Sequence, residues 1–169
     1  ADLQVILRNS RHLSDLIDDV LDLSQIEAGR MALTKERSDL VEIVDSARMA
    51  VSGLFASKGL YLELEADSGL PPVLVDRTRI REVVLNLLSN AARFTERGGV
   101  RLRVWRERDS IVVSVADTGP GIAADALTRL FQPFEQLDGS IRRKHGGSGL
   151  GLAISKSFVE LHGGAMWIE

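Results

Sequence analysis

The sequence has no cysteine in its 169 residues and only 3 histidines. Without thiols there is no disulfide scaffold, no thiolate metal site and no cysteine nucleophile. Three histidines, His12, His145 and His162, are too few to expect a multi-histidine metal centre. No uncharged apolar run approaches the ~20 residues of a membrane span, and no signal peptide opens the chain. Basic excess is absent too: 21 basic against 24 acidic side chains leave a formal charge of −3, so no bulk positive field calls for nucleic acid.

What is present is ordinary for a globular chain, with 44% hydrophobic and 27% charged residues. The length fits one domain with an appended element, and a domain near that size hides roughly 68–70% of its unfolded surface. The charge is uneven. Residues 1–30 hold six acidic and three basic side chains, which accounts for the whole −3. The chain opens on Ala1 rather than Met, and residues 166–169 read as a strand just begun. Both ends are therefore expected to be cuts within a longer protein.

Residues 2–28 read as one amphipathic helix. Ile6, Leu13 and Val20 recur at seven-residue spacing, as do Leu16 and Leu23. The helix either covers the domain's own core or forms half of an inter-chain bundle, and its length favours the bundle. Gly29 is a plausible stop. A short strand is expected at 31–36. Next comes a helix capped by Ser38 or Asp39, with Glu42 in the capping-box position. Residues 59–66 alternate as a half-buried strand, and Pro71-Pro72 is a break. Asp76 precedes an apolar helix over 77–94. Strands at 100–106 and 111–116 form a hairpin through Asp109-Ser110. A short helix at 124–131, a polar loop at 139–147 and a helix at 148–161 complete the chain. The order predicts an α+β fold: a mixed sheet covered by helices on one face, with a long N-terminal helix. In the hairpin, Arg97, Arg101, Arg103, Arg106 and Arg108 alternate with Leu102, Val104 and Trp105. That pattern reads as a solvated outer face rather than a nucleic-acid patch.

Four segments could carry chemistry. Asn86 and Asn90 lie four apart on one helix face, and Arg93 three further on. Carboxamide oxygens suit a hard cation such as Mg²⁺, and the Arg could reach substrate phosphates; local capping is the plainer use of the same amides. Asp117-Thr118-Gly119-Pro120-Gly121-Ile122 ends an alternating strand. Its carboxylate could accept from an exocyclic amine while the glycines let backbone approach a flat ring, or it is a simple turn. Phe131-Gln132-Pro133-Phe134 is a hydrophobic clip or part of the core. Gly146 to Leu152 (GGSGLGL) opens the last helix with a Gly-rich backbone suited to an anion. It is neither a P-loop nor a good dinucleotide fingerprint.

In this order and at these separations, the four segments resemble the catalytic ATP-binding domain of two-component sensor histidine kinases, in the GHKL ATPase superfamily. NLLSNAARFT at 86–95 resembles the N box, DTGPGI at 117–122 the first glycine box, FQPFEQ at 131–136 the F box, and GGSGLGLAI at 146–154 the second glycine box. LSDLIDDVLDLSQIEAG at 13–29 is similar to the second helix of the dimerisation and phosphotransfer hairpin. The resemblance implies a two-layer α/β sandwich of the histidine-kinase/gyrase ATPase (Bergerat) type at 31–169, preceded by a truncated hairpin helix at 1–30.

It also implies roles. Asn90 would ligate Mg²⁺, Asn86 would support metal and phosphates, and Arg93 stands where the family usually has Lys. Asp117 would read the adenine amino group, with Gly119, Gly121 and Ile122 seating the base and Phe134 pinning the loop. Residues 135–147 would form a lid, with Arg143 and Lys144 near the phosphates. Gly147, Ser148, Gly149, Leu150 and Gly151 would hold the phosphate tail. Hydrolytic branches of the superfamily carry a Glu four residues before the metal Asn. Here that position is Asn86, and an amide is a poor base, which suits transfer to an external acceptor. Glu82, a turn earlier, reads as a solvated helix residue.

The family's phosphoacceptor motif is missing. His12 lies on the second hairpin helix, His145 falls in the lid, and His162 sits at a helix end where a cation suits the dipole. The chain is therefore expected to bind ATP and Mg²⁺ without autophosphorylating. The implied partners are a second copy through the N-terminal helix and a response-regulator receiver domain. No nucleic acid and no direct membrane contact are implied. The implied location is cytoplasmic, whether or not the parent protein is membrane-anchored. Rival readings are a GHKL ATPase or serine-directed kinase, and a non-catalytic nucleotide-binding dimerisation module.

Overall fold

The computed structural model describes residues 2–135 and 148–169. Helix α1 runs over Asp2–Glu27, then strand β1 over Glu36–Ser38, helix α2 over Leu40–Ser57, and strands β2 over Tyr61–Ala66 and β3 over Val73–Val75. Helix α3 spans Arg77–Phe94, strands β4 and β5 span Gly99–Glu107 and Ser110–Asp117, and helices α4 and α5 span Ala124–Leu127 and Gly151–Leu161.

The main sheet has the order β2-β4-β5, parallel between β2 and β4 and antiparallel between β4 and β5. It is the expected mixed sheet. One face carries Val100, Leu102 and Val104, all fully buried against Val44, Ala47 and Phe55 of α2 and Val84, Leu88 and Ala91 of α3. The other face is solvated, where Glu63 and Glu65 pair with Arg101. Trp105 shares that outer face, contrary to the expected alternation, because side chains two apart on a strand point the same way; Arg103 lies 5.2 Å over its ring.

A second cluster lies on the neighbouring face of α3, where Val83 meets Leu150, Ile154 and Phe158 of the α5 segment. The C-terminal part of α1 joins it through Leu23 and Ile26. Thus α3 is apolar toward the sheet on one face and toward α5 on the next. Much of α1 is uncovered. Leu3, Ile6, Leu13, Ile17, Val20 and Leu21 are all about half exposed or more.

Several boundaries differ from the sequence reading, each for a local reason. No strand forms over 31–35, where the Thr34 N–H donates to the Asp76 carboxylate instead of to a ladder, and β1 begins only at Glu36 and runs on to Ser38. The partner of β1 is β3, a strand too short to show periodicity. The hairpin turn is Arg108-Asp109, since Ser110 already pairs with Glu107, and Arg108 takes φ +54°. The helix expected at 124–131 ends at Leu127. The last helix starts at Gly151 rather than Ser148, because Gly149 turns to φ +70° and the Ser148 hydroxyl accepts from the Leu150 N–H. Residues 164–169 join no ladder among the described residues. The stop at Gly29 holds, with φ +65° and the Arg30 N–H reaching back to the Gln25 carbonyl.

Asp76 locks α3 to its neighbours. Its carboxylate accepts from the N–H groups of Thr34 and Arg79, and its own N–H donates to His162 Nε2 at 2.9 Å. His162 Nδ1 lies 2.7 Å from the Phe158 carbonyl. The ring thus bridges the start of α3 to the last turn of α5, through Nε2 on one side and Nδ1 on the other. Burial pushes the Asp76 carboxyl up, but the N–H groups of Thr34, Arg79 and Thr78 outweigh it and hold it below its ordinary 3.8.

That depression ties Asp76 to pH-dependent stability. The contribution is present above the unfolded value of 3.8 and is lost as pH falls through the lower folded value. Asp76→Ala is expected to cost about 1–2 kcal/mol at neutral pH, as loss of a helix cap does. The gap from wild type should narrow at pH values below the folded value. Urea unfolding at several pH values checks this; a gap that stays constant down to acid would refute it.

Candidate functional site

Five polar side chains of α3 fall on one stripe. Arg79, Glu82, Asn86, Asn90 and Arg93 follow spacings of three and four, so they share a face between the two apolar clusters. The start of α5 and the loop after β5 meet this stripe or the end of its helix, and the Phe134 segment joins them through Gly149.

At the middle of α3, Asn86 meets the start of α5. Asn86 Nδ2 donates to Ser155 Oγ at 2.9 Å. A Cβ at Gly151 would stand only 2.4 Å from Asn86 Oδ1, so no side chain fits at 151 while the amide stays in place. At the C-terminal end of α3 lies the loop after β5. Asp117 Oδ1 accepts from the Gly119 N–H at 2.8 Å. A Cβ at Gly119 would stand 3.5 Å from the Phe94 carbonyl oxygen and 3.6 Å from Thr95 Oγ1. That hydroxyl is fully buried and has no hydrogen-bond partner among the described residues. Thr118 pins the strand end: its Oγ1 accepts from the Gly99 N–H at 2.9 Å and lies 2.7 Å from the Arg97 carbonyl.

Phe134 and Gly149 form the third junction. The Phe134 N–H donates to the Gly149 carbonyl at 2.9 Å, both residues have positive φ, and a Cβ at 149 would meet the Phe134 backbone. The Phe134 ring is exposed, so the clip here works through backbone rather than core packing. Leu150 is fully buried beneath the Gly-rich turn, whereas Gly121 (φ +74°) and Ile122 stay exposed. Asn90 and Arg93 are half-buried on the stripe. The expected phosphate residues Arg143, Lys144 and Gly147, with His145 and most of the expected lid, lie outside the described residues.

Helix α1 adds contacts that were not expected from the sequence. Asp22 makes a two-pronged ion pair with Arg79 at 2.9 and 3.1 Å, and Arg79 also pairs with Glu82 and lies 4.8 Å over the Phe158 ring. Ser148 Oγ donates to Asp19 at 3.0 Å. Burial pushes the Asp19 carboxyl up; the Ser148 bond opposes this, and the neighbouring Asp15, Asp22 and Asp18 add to it. Burial likewise raises Glu82, against the Arg79 pairing. Glu82 is therefore a half-buried member of an ion-pair group, not a freely solvated residue. Ser155 and Asp19 escaped the sequence reading, which named Thr118 only as part of the 117–122 segment, without a role of its own. The only signal for Ser155 was a hydroxyl at an inward position of an otherwise apolar helix.

The donor set bears on a metal. No group of three His, Asp or Glu side chains that could hold an ion exists among the described residues. A cation here would take carboxamide oxygens, water and substrate phosphates, as Mg²⁺ does.

The profile for "Histidine kinase-, DNA gyrase B-, and HSP90-like ATPase" matches residues 75–169. The chain belongs to this ATPase family. Its matched segment contains the whole α3 stripe, the Asp117 loop and the start of α5. The circadian input-output histidine kinase CikA of Synechococcus elongatus is 44% identical over 170 residues, covering 99% of this chain and 22% of that protein. The histidine protein kinase DivJ of Caulobacter vibrioides is 40% identical over 167 residues, covering 98% of this chain and 28% of that protein. Among solved structures, full-length ShkA in complex with AMPPNP superposes with a TM-score of 0.81 at 35% identity, over 92% of this chain and 32% of that one. The chain thus spans about a fifth to a third of these relatives, and it has the fold of a histidine-kinase ATP-binding catalytic domain behind a long helix.

Asn90→Ala is expected to abolish binding of Mg·ATP while leaving the circular dichroism spectrum and thermal transition in place. Titration calorimetry in the presence of Mg²⁺ checks it, and retained affinity would refute the metal assignment.

Proposed function

We propose that this chain is the ATP-binding catalytic core of a two-component sensor histidine kinase. It transfers the γ-phosphoryl group of ATP to a histidine outside these 169 residues, from which the group passes to a response-regulator aspartate. The observation that carries this reading is the carboxamide at position 86. Asn86 is held against Ser155 and Gly151, where the hydrolytic relatives have a carboxylate base. An amide does not activate water, so the site favours an external nucleophile.

In this reading Asp117 accepts from the adenine amino group, beside the buried Thr95 hydroxyl. Asn90 would hold Mg²⁺ with help from Asn86, and the ion would supply charge neutralisation on the phosphates. Arg93 contributes a second positive charge on the same stripe. Ser148, Gly149 and Gly151 would present backbone N–H groups at the start of α5, where the helix dipole favours the phosphate tail, while the Leu150 N–H is held by Ser148 Oγ and keeps the turn in shape. Arg143, Lys144 and Gly147, which lie outside the described residues, would add to the phosphate contacts. The acceptor imidazole nitrogen forms a bond to the γ-phosphorus as the bond to the β–γ bridging oxygen breaks. ADP leaves with that electron pair, and the imidazole proton passes to water. Such catalysis is positioning and charge neutralisation, with no covalent enzyme nucleophile required.

The uncovered apolar residues of α1 pair with a second copy in this reading, as in a hairpin bundle. No described helix is long and apolar enough to cross a membrane. A cytoplasmic site of action is consistent with the use of ATP.

Incubating the chain with labelled ATP, Mg²⁺ and a separate hairpin fragment bearing a phosphoacceptor histidine tests the reading. Acid-labile label on the fragment's histidine is expected, with none on the chain itself. Steady phosphate release without histidine labelling would favour the ATPase reading. Binding with neither would leave a nucleotide-binding module.

A further inference from the structure

Ser155 is a buried hydroxyl, 3% exposed, on a helix whose inward residues Ala153, Ile154 and Phe158 are otherwise apolar. A hydroxyl in such a place is costly unless it is hydrogen-bonded. Its partner is Asn86, whose Nδ2 donates to it at 2.9 Å. A carboxamide has a donor end and an acceptor end on one planar carbon, so fixing one fixes the other. Committing Nδ2 to Ser155 therefore decides where Oδ1 points. In this structure Oδ1 lies against Gly151, the first residue of α5, so close that a Cβ there would stand 2.4 Å away. The glycine clears the space for the oxygen, and the serine hydroxyl, acting here as acceptor, holds the amino end.

We propose that Ser155 is a positioning residue: it orients the Asn86 carboxamide so that its oxygen, not its amino group, faces the metal and phosphate side of the site. An amide oxygen supports a cation or its bound water, whereas an amide NH₂ repels it. Ser155 touches neither substrate nor metal in this proposal and acts only through Asn86. The inference rests on the assignment of this site to Mg·ATP.

The test compares Ser155→Thr with Ser155→Val, which differ in the hydroxyl but hardly in shape, alongside Ser155→Ala. ATP affinity is measured by calorimetry with Mg²⁺ and again in EDTA. The ratio of the two affinities is the readout. Loss of one hydrogen bond of ordinary net strength predicts a ratio about threefold to tenfold smaller in Ser155→Ala and Ser155→Val. Ser155→Thr is expected to keep the wild-type ratio. Adding Ser155→Ala to Asn86→Ala should cause no further loss, because the amide it orients is gone.

Equal weakening of both affinities would mean a merely structural role for Ser155 and overturn the proposal. An unchanged ratio in Ser155→Val, or an additive double variant, would overturn it as well. In those cases the wild-type ratio still stands, so the wider functional reading survives. If wild type shows no Mg²⁺-dependent ATP binding, both fall together.

Discussion

The close contact between α3 and α5 is the constraint on which the rest of the molecule depends. The two helices run antiparallel. Asp76 at the start of α3 meets His162 at the end of α5, and Asn86 in the middle of α3 meets Gly151 and Ser155 at the start of α5. Between these polar clamps lies a dry seam of Val83, Leu150, Ile154 and Phe158. The seam supplies the burial energy. The clamps fix the sliding and rotation of one helix against the other, which burial alone does not specify. Since the Gly-rich turn leads into α5, this contact also places the expected phosphate-binding backbone beside the asparagine stripe.

The sheet side serves a different purpose. It gives α3 a rigid support through Val84, Leu88 and Ala91 and ends β5 beside the C-terminus of α3. Thr118 holds that strand end to the Arg97–Gly99 turn, so Asp117 emerges at a defined point. In the proposed reading one helix carries two halves of a site: the base-recognition loop at its end and the phosphate and metal groups along its stripe. Helix α1 reaches the same region from outside through Asp19 and Asp22. Whatever moves α1 is coupled by those contacts to the residue that opens the Gly-rich turn.

Much of this was legible in the sequence, for identifiable reasons. Long helices with strong apolar periodicity, α1 and α3, appeared with bounds correct to about a residue. Asp39 and Asp76 both accept from N–H groups in the first turn of their helices. What stayed hidden were features set by partners distant in sequence. Strand β3 exists only because β1 pairs with it, and neither is long enough to announce itself. Trp105 lies outward because the pleat, not hydrophobicity, decides its side. The role of His162 depends on an N–H donor 86 residues away. The site followed the same division. The four motif segments could be read as a group, but Ser155 and Asp19 acquire meaning only when α5 and α1 are packed.

The most direct test of the account is a crystal structure of this chain with Mg²⁺ and a non-hydrolysable ATP analogue. The account predicts the purine amino group on Asp117, the metal on the Asn90 oxygen, and the phosphates between Arg93 and the Ser148–Gly151 backbone. A nucleotide bound away from the α3 stripe, or a metal held by any other group of side chains, would contradict it.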